Sequence, residues 1–278
     1  MNSKHAPIGI FDSGVGGLSV LGAIRQQFPC EDMIFLADQG HVPYGPRPMS
    51  QVQDFSEGVT RYLLSQGAKL IVVACNTASA AALHHLRNTF LQTPFVGMEP
   101  AVKPAAEGTQ SGVVGVLATP ATFQGELYAS VVERFAQGVT VLQDVCPGLV
   151  TQIEKGELDT PRTRAILEAA LTPMRERGVD RVVMGCTHYP FVIPLIQEIL
   201  GPDVEVINPA PAVARQAGRL LDVHELHTTK TERGKVQYLT TGDAAKLEAM
   251  LPQLIGEGGT VRSLRWVNGA IETVPQKS

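Results

Sequence analysis

The chain has 278 residues, 44% of them hydrophobic, and a net charge of −4. That is enough for one large or two ordinary domains with real cores, and a mildly acidic chain with no basic run gives nucleic-acid binding little electrostatic support. No apolar run approaches the length of a membrane span, and the short polar stretch before Ile8 has none of the features of a signal or transit peptide, so a cytoplasmic protein with reduced thiols is expected.

Short β-branched runs alternate with amphipathic stretches. Residues 8–11, 33–36, 70–74, 113–117, 139–142, 181–184 and 204–207 read as buried strands, and residues 53–66 and 162–177 as helices. This alternation predicts an α/β fold with parallel sheets.

The first strand runs into Asp12-Ser13-Gly14-Val15-Gly16-Gly17. A nucleotide-binding loop is one reading of it, with Asp38 after the next strand as the ribose-binding acid. Against that, the third glycine of the dinucleotide fingerprint falls on Ser19, and Asp12 would set a negative charge beside phosphates. A carboxylate and a hydroxyl at a strand end suit an amino-acid ligand better, with glycines that let the backbone approach it. Tyr44 follows in the turn-rich Pro43-Tyr44-Gly45-Pro46, which reads as either a lid or a plain connection.

An internal repeat comes next. Gly67 leads through an apolar strand to Cys75, and Gly178 leads through another to Cys186 at the same spacing. Each half has an earlier strand with a polar end, Asp12-Ser13 in one and Thr119 in the other, so two similar α/β halves are expected. In parallel α/β sheets ligands bind beyond the carboxyl ends of strands, where Asp12, Ser13, Cys75, Thr119 and Cys186 all fall. If the halves face each other, the two thiols approach one cleft from opposite sides.

Cys75 precedes Asn76-Thr77 and a run of alanines, with Asn76 or Thr77 as the expected helix cap. Cys186 precedes Thr187-His188-Tyr189-Pro190, with Thr187 as the expected cap and Pro190 in the first turn. A thiol facing a helix N-terminus is favoured as thiolate. One such cysteine alone reads as a buried structural residue; two in the same setting reverse that ordering. Cys30 and Cys146 lack the setting and read as structural. His188 could tune Cys186 or relay a proton, or simply cap a helix. His84 and His85 read as solvated or packing residues, and Glu154 taken alone as a solvated helix carboxylate. No cysteine pair has zinc-ligand spacing, and no lysine has a defensible Schiff-base context.

Four blocks in order, Phe11-Asp12-Ser13-Gly14-Val15-Gly16-Gly17, Pro43-Tyr44-Gly45, Ala74-Cys75-Asn76-Thr77-Ala78-Ser79 and Gly185-Cys186-Thr187-His188-Tyr189-Pro190, resemble the signature blocks of the glutamate racemases. The resemblance implies interconversion of L- and D-glutamate for bacterial peptidoglycan, with no cofactor and no metal. It implies two similar α/β domains with central parallel sheets, pseudo-two-fold related, with the active site in the cleft between them. Residues 1–97 plus 209–278 would form the first domain, completed by the C-terminal segment, and residues 98–208 the second.

Carried over position by position, Cys75 and Cys186 match the two catalytic thiols. Asp12 matches the group assisting Cys75, and Glu154 with His188 those assisting Cys186. Ser13, Tyr44, Gly45, Asn76, Thr77, Thr122, Thr187 and His188 match substrate-binding positions, as does Asp12. The expected partner is small-molecule glutamate, with no nucleic acid and no membrane, and a homodimer is left open. Rival readings are an aspartate racemase or another two-cysteine isomerase of the superfamily, such as a maleate isomerase, and a non-catalytic amino-acid-binding module. The chain departs from the usual family wording at Asp38-Gln39-Gly40-His41-Val42, at Met98-Glu99-Pro100-Ala101 and at Asn208-Pro209-Ala210, which bears on the lid, the hinge and the oligomer interface.

Overall fold

The computed structural model describes residues 4–274. The chain divides into two compact units, one running to Met98 and resuming at Ala210, the other spanning Glu99–Pro209. The first unit opens with strands β1 (Ile8–Asp12), β2 (Met33–Ala37), β3 (Leu70–Val73) and β4 (Phe95–Val96). The second holds β5 (Val113–Ala118), β6 (Thr140–Asp144), β7 (Arg181–Gly185) and β8 (Glu205–Ile207). The returning segment adds β9 (Val236–Thr240), β10 (Val261–Val267) and β11 (Ala270–Thr273) to the first. Helices α1 (Leu18–Gln27), α2 (Met49–Ser65) and α3 (Asn76–Thr89) belong to the first unit. The second carries α4 (Val102–Gly108), α5 (Pro120–Gln124), α6 (Glu126–Phe135), α7 (Leu149–Glu154), α8 (Pro161–Glu176) and α9 (Ile193–Leu200). Helices α10 (Ala210–Val223) and α11 (Ala244–Ile255) lie in the returning segment, and among the described residues no helix is long and apolar enough to cross a membrane.

The sheet of the first unit has the order β11-β10-β9-β2-β1-β3-β4 and that of the second β6-β5-β7-β8. All pairings are parallel except β10 with β11. Strands β1, β2 and β3 are buried along their whole length, as parallel strands covered on both faces must be, and so they are nearly all apolar. In the first unit Phe11, Ile71 and Val73 pack with Val59, Leu63 and Leu86 of the helices. In the second, Val114, Val116 and Val183 pack with Val102 and Val131.

The repeat read from sequence is present in the topology. The segment β2-β1-β3-β4 has the same order and polarity as β6-β5-β7-β8. Gly67 and Gly178 both sit at left-handed φ, +85° and +75°. Each closes the preceding helix with the same pair of bonds: Gly67 N–H to the Leu64 carbonyl and Ala68 N–H to that of Leu63, Gly178 N–H to that of Arg175 and Val179 N–H to that of Met174. Glycine is the residue that takes this conformation without steric penalty. Phe11 pairs with Val73 and Ala118 with Gly185, so Ser13 comes level with Cys75 as Thr119 does with Cys186.

Seven strands expected from sequence are present with ends shifted by a residue or so. Those not read are β4 and β9–β11. Strand β10 buries only Val261 and Leu264 among exposed and half-buried neighbours, a pattern weaker than a continuous apolar run. The returning segment is fastened at the amino ends of the strands as well. There the buried Lys69 ammonium donates to Glu31 Oε2 at 2.5 Å and to the Lys4 carbonyl at 2.6 Å, while Glu31 Oε1 accepts the Thr228 N–H at 2.8 Å. Removing either charge would strand the other in a buried site, which costs several kcal/mol, about 3–5.

Candidate active site

In the first unit the site residues gather where β1 and β3 end. Asp12 is fully buried. Its Oδ1 accepts the Ser13 N–H at 2.7 Å and its Oδ2 the Gly17 N–H at 2.5 Å, which fixes the 3-10 turn Val15–Gly17 leading into α1. A Cβ on Gly17 would stand 2.7 Å from that of Asp12 and 3.0 Å from the Phe35 ring, so the turn needs glycine there. The carboxylate thus occupies amides that a phosphate would have to use, which removes the nucleotide-loop reading. Asp38, the supposed ribose acid, is likewise engaged by protein donors.

Cys75 follows β3 and is itself the N-cap of α3, its Sγ accepting the Ala78 N–H at 3.5 Å. The expectation of an Asn76 or Thr77 cap is corrected: both lie inside the first turn. The thiol therefore sits directly on the free amides and positive end of a fourteen-residue helix, a setting that favours its thiolate. Ser13 Oγ lies 4.0 Å from Cys75 Sγ. Asn76 and Thr77 are each 3% exposed. Neither the Oδ1 nor the Nδ2 of Asn76 has a hydrogen-bond partner among the described residues. A buried amide with both ends unsatisfied costs free energy unless a ligand completes it. Tyr44 is 1% exposed, and its hydroxyl donates to Asp38 Oδ2 at 2.6 Å. Burial and the adjacent Asp38 push the phenol well above its usual pKa, so it remains a donor. Gly45 is buried beside it. The loop is pinned here, not open as a free lid.

In the second unit Cys186 follows β7 and is 5% exposed. His188 Nδ1 lies 3.7 Å from Cys186 Sγ, and His188 Nε2 lies 2.5 Å from Glu154 Oε1. Burial alone would push the His188 pKa down, but its bonds to Cys186 and Glu154 override that and raise it well above the ordinary imidazole value. The ring is held as a cation facing the sulfur, with a carboxylate behind it. Glu154, which read as a solvated carboxylate, closes α7, and the fold carries it to His188. Thr187 is buried but does not cap a helix. The 3-10 turn Tyr189–Val192 begins after His188 with Pro190 in it, and α9 starts only at Ile193. The two thiols are thus supported differently: Cys75 by helix amides, Cys186 by an imidazole–carboxylate pair.

Thr122 is 2% exposed, its hydroxyl 3.0 Å from that of Thr119 at the end of β5. Cys146 is buried at φ +42°, and burial with nearby Asp144 raises its pKa far enough to keep it a thiol. Cys30 is half-buried at Thr231. His85 pairs with Glu57, and His84 lies 3.0 Å from Asn88. Among the described residues no three His, Cys, Asp or Glu side chains are grouped as metal ligands. Sequence reasoning missed the role of Asp38 as a hydrogen-bond centre and with it Trp266, whose indole reaches Asp38 from the far end of the chain.

The model of the Asp/Glu/hydantoin racemase family matches residues 17–217. A glutamate racemase of Ectopseudomonas mendocina is 48% identical over 261 residues, covering 94% of this chain and 99% of that protein. The crystal structure of a glutamate racemase isoform from Bacillus anthracis superposes with a TM-score of 0.84 at 31% identity, covering 96% of this chain and 99% of that one. A glutamate racemase from Francisella tularensis in complex with D-glutamate gives 0.80 at 27% identity, covering 94% and 97%.

Proposed function

The chain belongs to the Asp/Glu/hydantoin racemase family, and from that premise we propose that it interconverts L- and D-glutamate by two-base proton transfer between Cys75 and Cys186, without pyridoxal phosphate or metal. The observation that carries this reading is the pair of buried thiols, each following a parallel strand in one of two topologically equivalent four-stranded segments and each with its own proton-handling support. Glutamate is the amino acid in the names of relatives that match nearly the whole chain.

The α-hydrogen of an amino acid is weakly acidic, so its removal needs a positioned base and a stabilised carbanion. One thiolate takes the proton from one face of Cα. The opposite thiol delivers its own proton to the other face and becomes the thiolate, ready for the reverse reaction. Asp12 serves Cys75, and Glu154 with His188 serves Cys186. Ser13, Asn76, Thr77, Thr122 and Thr187 hold the substrate's polar groups, the unpartnered Asn76 amide chief among them. Tyr44 and Gly45 complete the pocket wall. The buried lysine side chain Lys69 lies at the opposite end of β3 from Cys75, roughly 20 Å away by strand rise, and is held by Glu31, which argues against a Schiff base. We place the reaction in the cytoplasm, supplying D-glutamate for peptidoglycan.

Polarimetry of the purified protein tests this. L-Glutamate should lose its optical rotation, L-aspartate far more slowly, and the rate should survive exhaustive chelation and carbonyl-trapping reagents. Equal or better kcat/KM for aspartate would move the assignment to an aspartate racemase. Ligand binding with unchanged rotation would make the protein a binding module.

A further inference from the structure

Asp38 ends just beyond β2, and its carboxylate is fully buried. Four side chains reach it, and they divide by segment. Oδ2 accepts the Tyr44 hydroxyl at 2.6 Å and faces His41 Nδ1 at 2.9 Å, both from the loop that follows β2. Oδ1 accepts the Thr241 hydroxyl at 2.6 Å and the Trp266 indole N–H at 2.7 Å, both from the returning C-terminal segment. Each oxygen thus holds two partners, which fills the acceptor capacity of a carboxylate. The donors outweigh burial and keep Asp38 below the usual carboxylate range, so the bridge stays charged. Rings reinforce it: His41 stacks on Phe55 at 3.8 Å, and Trp266 lies 5.2 Å from His41 and 5.8 Å from Phe55. Thr241 Oγ1 also accepts the Gly40 N–H at 2.9 Å.

We propose that Asp38 is a positioning residue for racemisation: its carboxylate ties Tyr44 and Gly45, at the substrate, to Thr241 and Trp266, so that the C-terminal segment sets the geometry of the binding loop. This rests on the reading that Tyr44 and Gly45 contact glutamate. A freely hinged loop would lose conformational entropy each time substrate bound; a loop already fixed from behind does not, and that difference appears in binding, not in the chemical step. The C-terminal return then has a task beyond completing the sheet.

The test uses Trp266→Phe and Thr241→Val, each removing one donor to Oδ1 without changing a residue of the loop, although Thr241→Val also removes the acceptor of the Gly40 N–H, together with Asp38→Asn and Tyr44→Phe. KM for glutamate should rise about threefold in each of the first two and about tenfold in Asp38→Asn, with kcat within about twofold of the parent. Trp266 is the only tryptophan in the chain, so its emission reports the network directly. Tyr44→Phe takes a donor from the carboxylate that the Trp266 indole shares, so it should shift that emission in the free protein while the emission itself persists. Should Asp38→Asn fail to fold, the two donor variants decide the matter. Unchanged KM in both Trp266→Phe and Thr241→Val, with normal turnover, would overturn the role of Asp38 alone. A parent protein that does not turn over glutamate would overturn the reading on which it rests.

Discussion

Cys75→Ser and Cys186→Ser should each lower kcat for glutamate by roughly 10³-fold or more, in both directions, with a protein that still folds. The folding half of that expectation comes from the fold itself. Cys75 caps α3 through Sγ, accepting the Ala78 N–H, and serine is among the best N-capping residues. Cys186→Ser leaves the His188–Glu154 pair intact. The loss must therefore be chemical: a hydroxyl is far too weak an acid to supply a comparable base. Steady-state circular dichroism with each enantiomer checks it, alongside thermal unfolding to show that the variants are native. A single serine variant with near-normal turnover would remove that cysteine from the proton path.

The helpers should split by direction. L- and D-glutamate have equal free energy in water, so the equilibrium constant is one and any variant must keep kcat/KM equal in the two directions. Asp12→Asn and His188→Asn can still lower kcat unequally, with KM compensating. Losing the imidazolium that faces Cys186 should cost most, about 10- to 100-fold, in the direction that begins with Cys186 as thiolate. Losing the Asp12 charge should cost most in the opposite direction. The pH dependence has a definite sign. His188 has a raised pKa, so its cation persists through neutrality and is lost only as pH climbs through that raised value. A fall in kcat at high pH belonging to the Cys186-first direction should be present in the parent and missing in His188→Asn. Progress curves from both enantiomers across pH measure this. Equal losses in the two directions for both variants would show that neither group belongs to one thiol.

What the sequence disclosed and what it hid follow from range. Buried parallel strands are continuous apolar runs, and the two Gly-to-Cys segments share a helix stop and a strand, so seven of the strands and the paired thiols were legible from local pattern. Caps were less so. Propensity pointed to Asn76, Thr77 and Thr187, yet the strand ends deliver a sulfur in one case and a 3-10 turn in the other. Glu154 shows the limit most clearly: a carboxylate ending a six-residue helix looks solvated, and only the fold brings it to His188, 34 positions away. Asp38 is the same lesson at longer range, since Thr241 and Trp266 lie 203 and 228 positions from it. The family resemblance supplied the roles that local pattern could not.

The two-base claim is tested most directly by isotope exchange in D₂O during the first small fraction of conversion. Starting from L-glutamate, the D-glutamate formed should carry deuterium at Cα, because its proton comes from the opposite thiol equilibrated with solvent. The recovered L-glutamate should remain protonated, because the thiol that removed its proton returns the same one. The mirror result should hold from D-glutamate. Equal early labelling of substrate and product, or substrate-derived protium carried into the product, would contradict two opposed thiols and require a single base serving both faces.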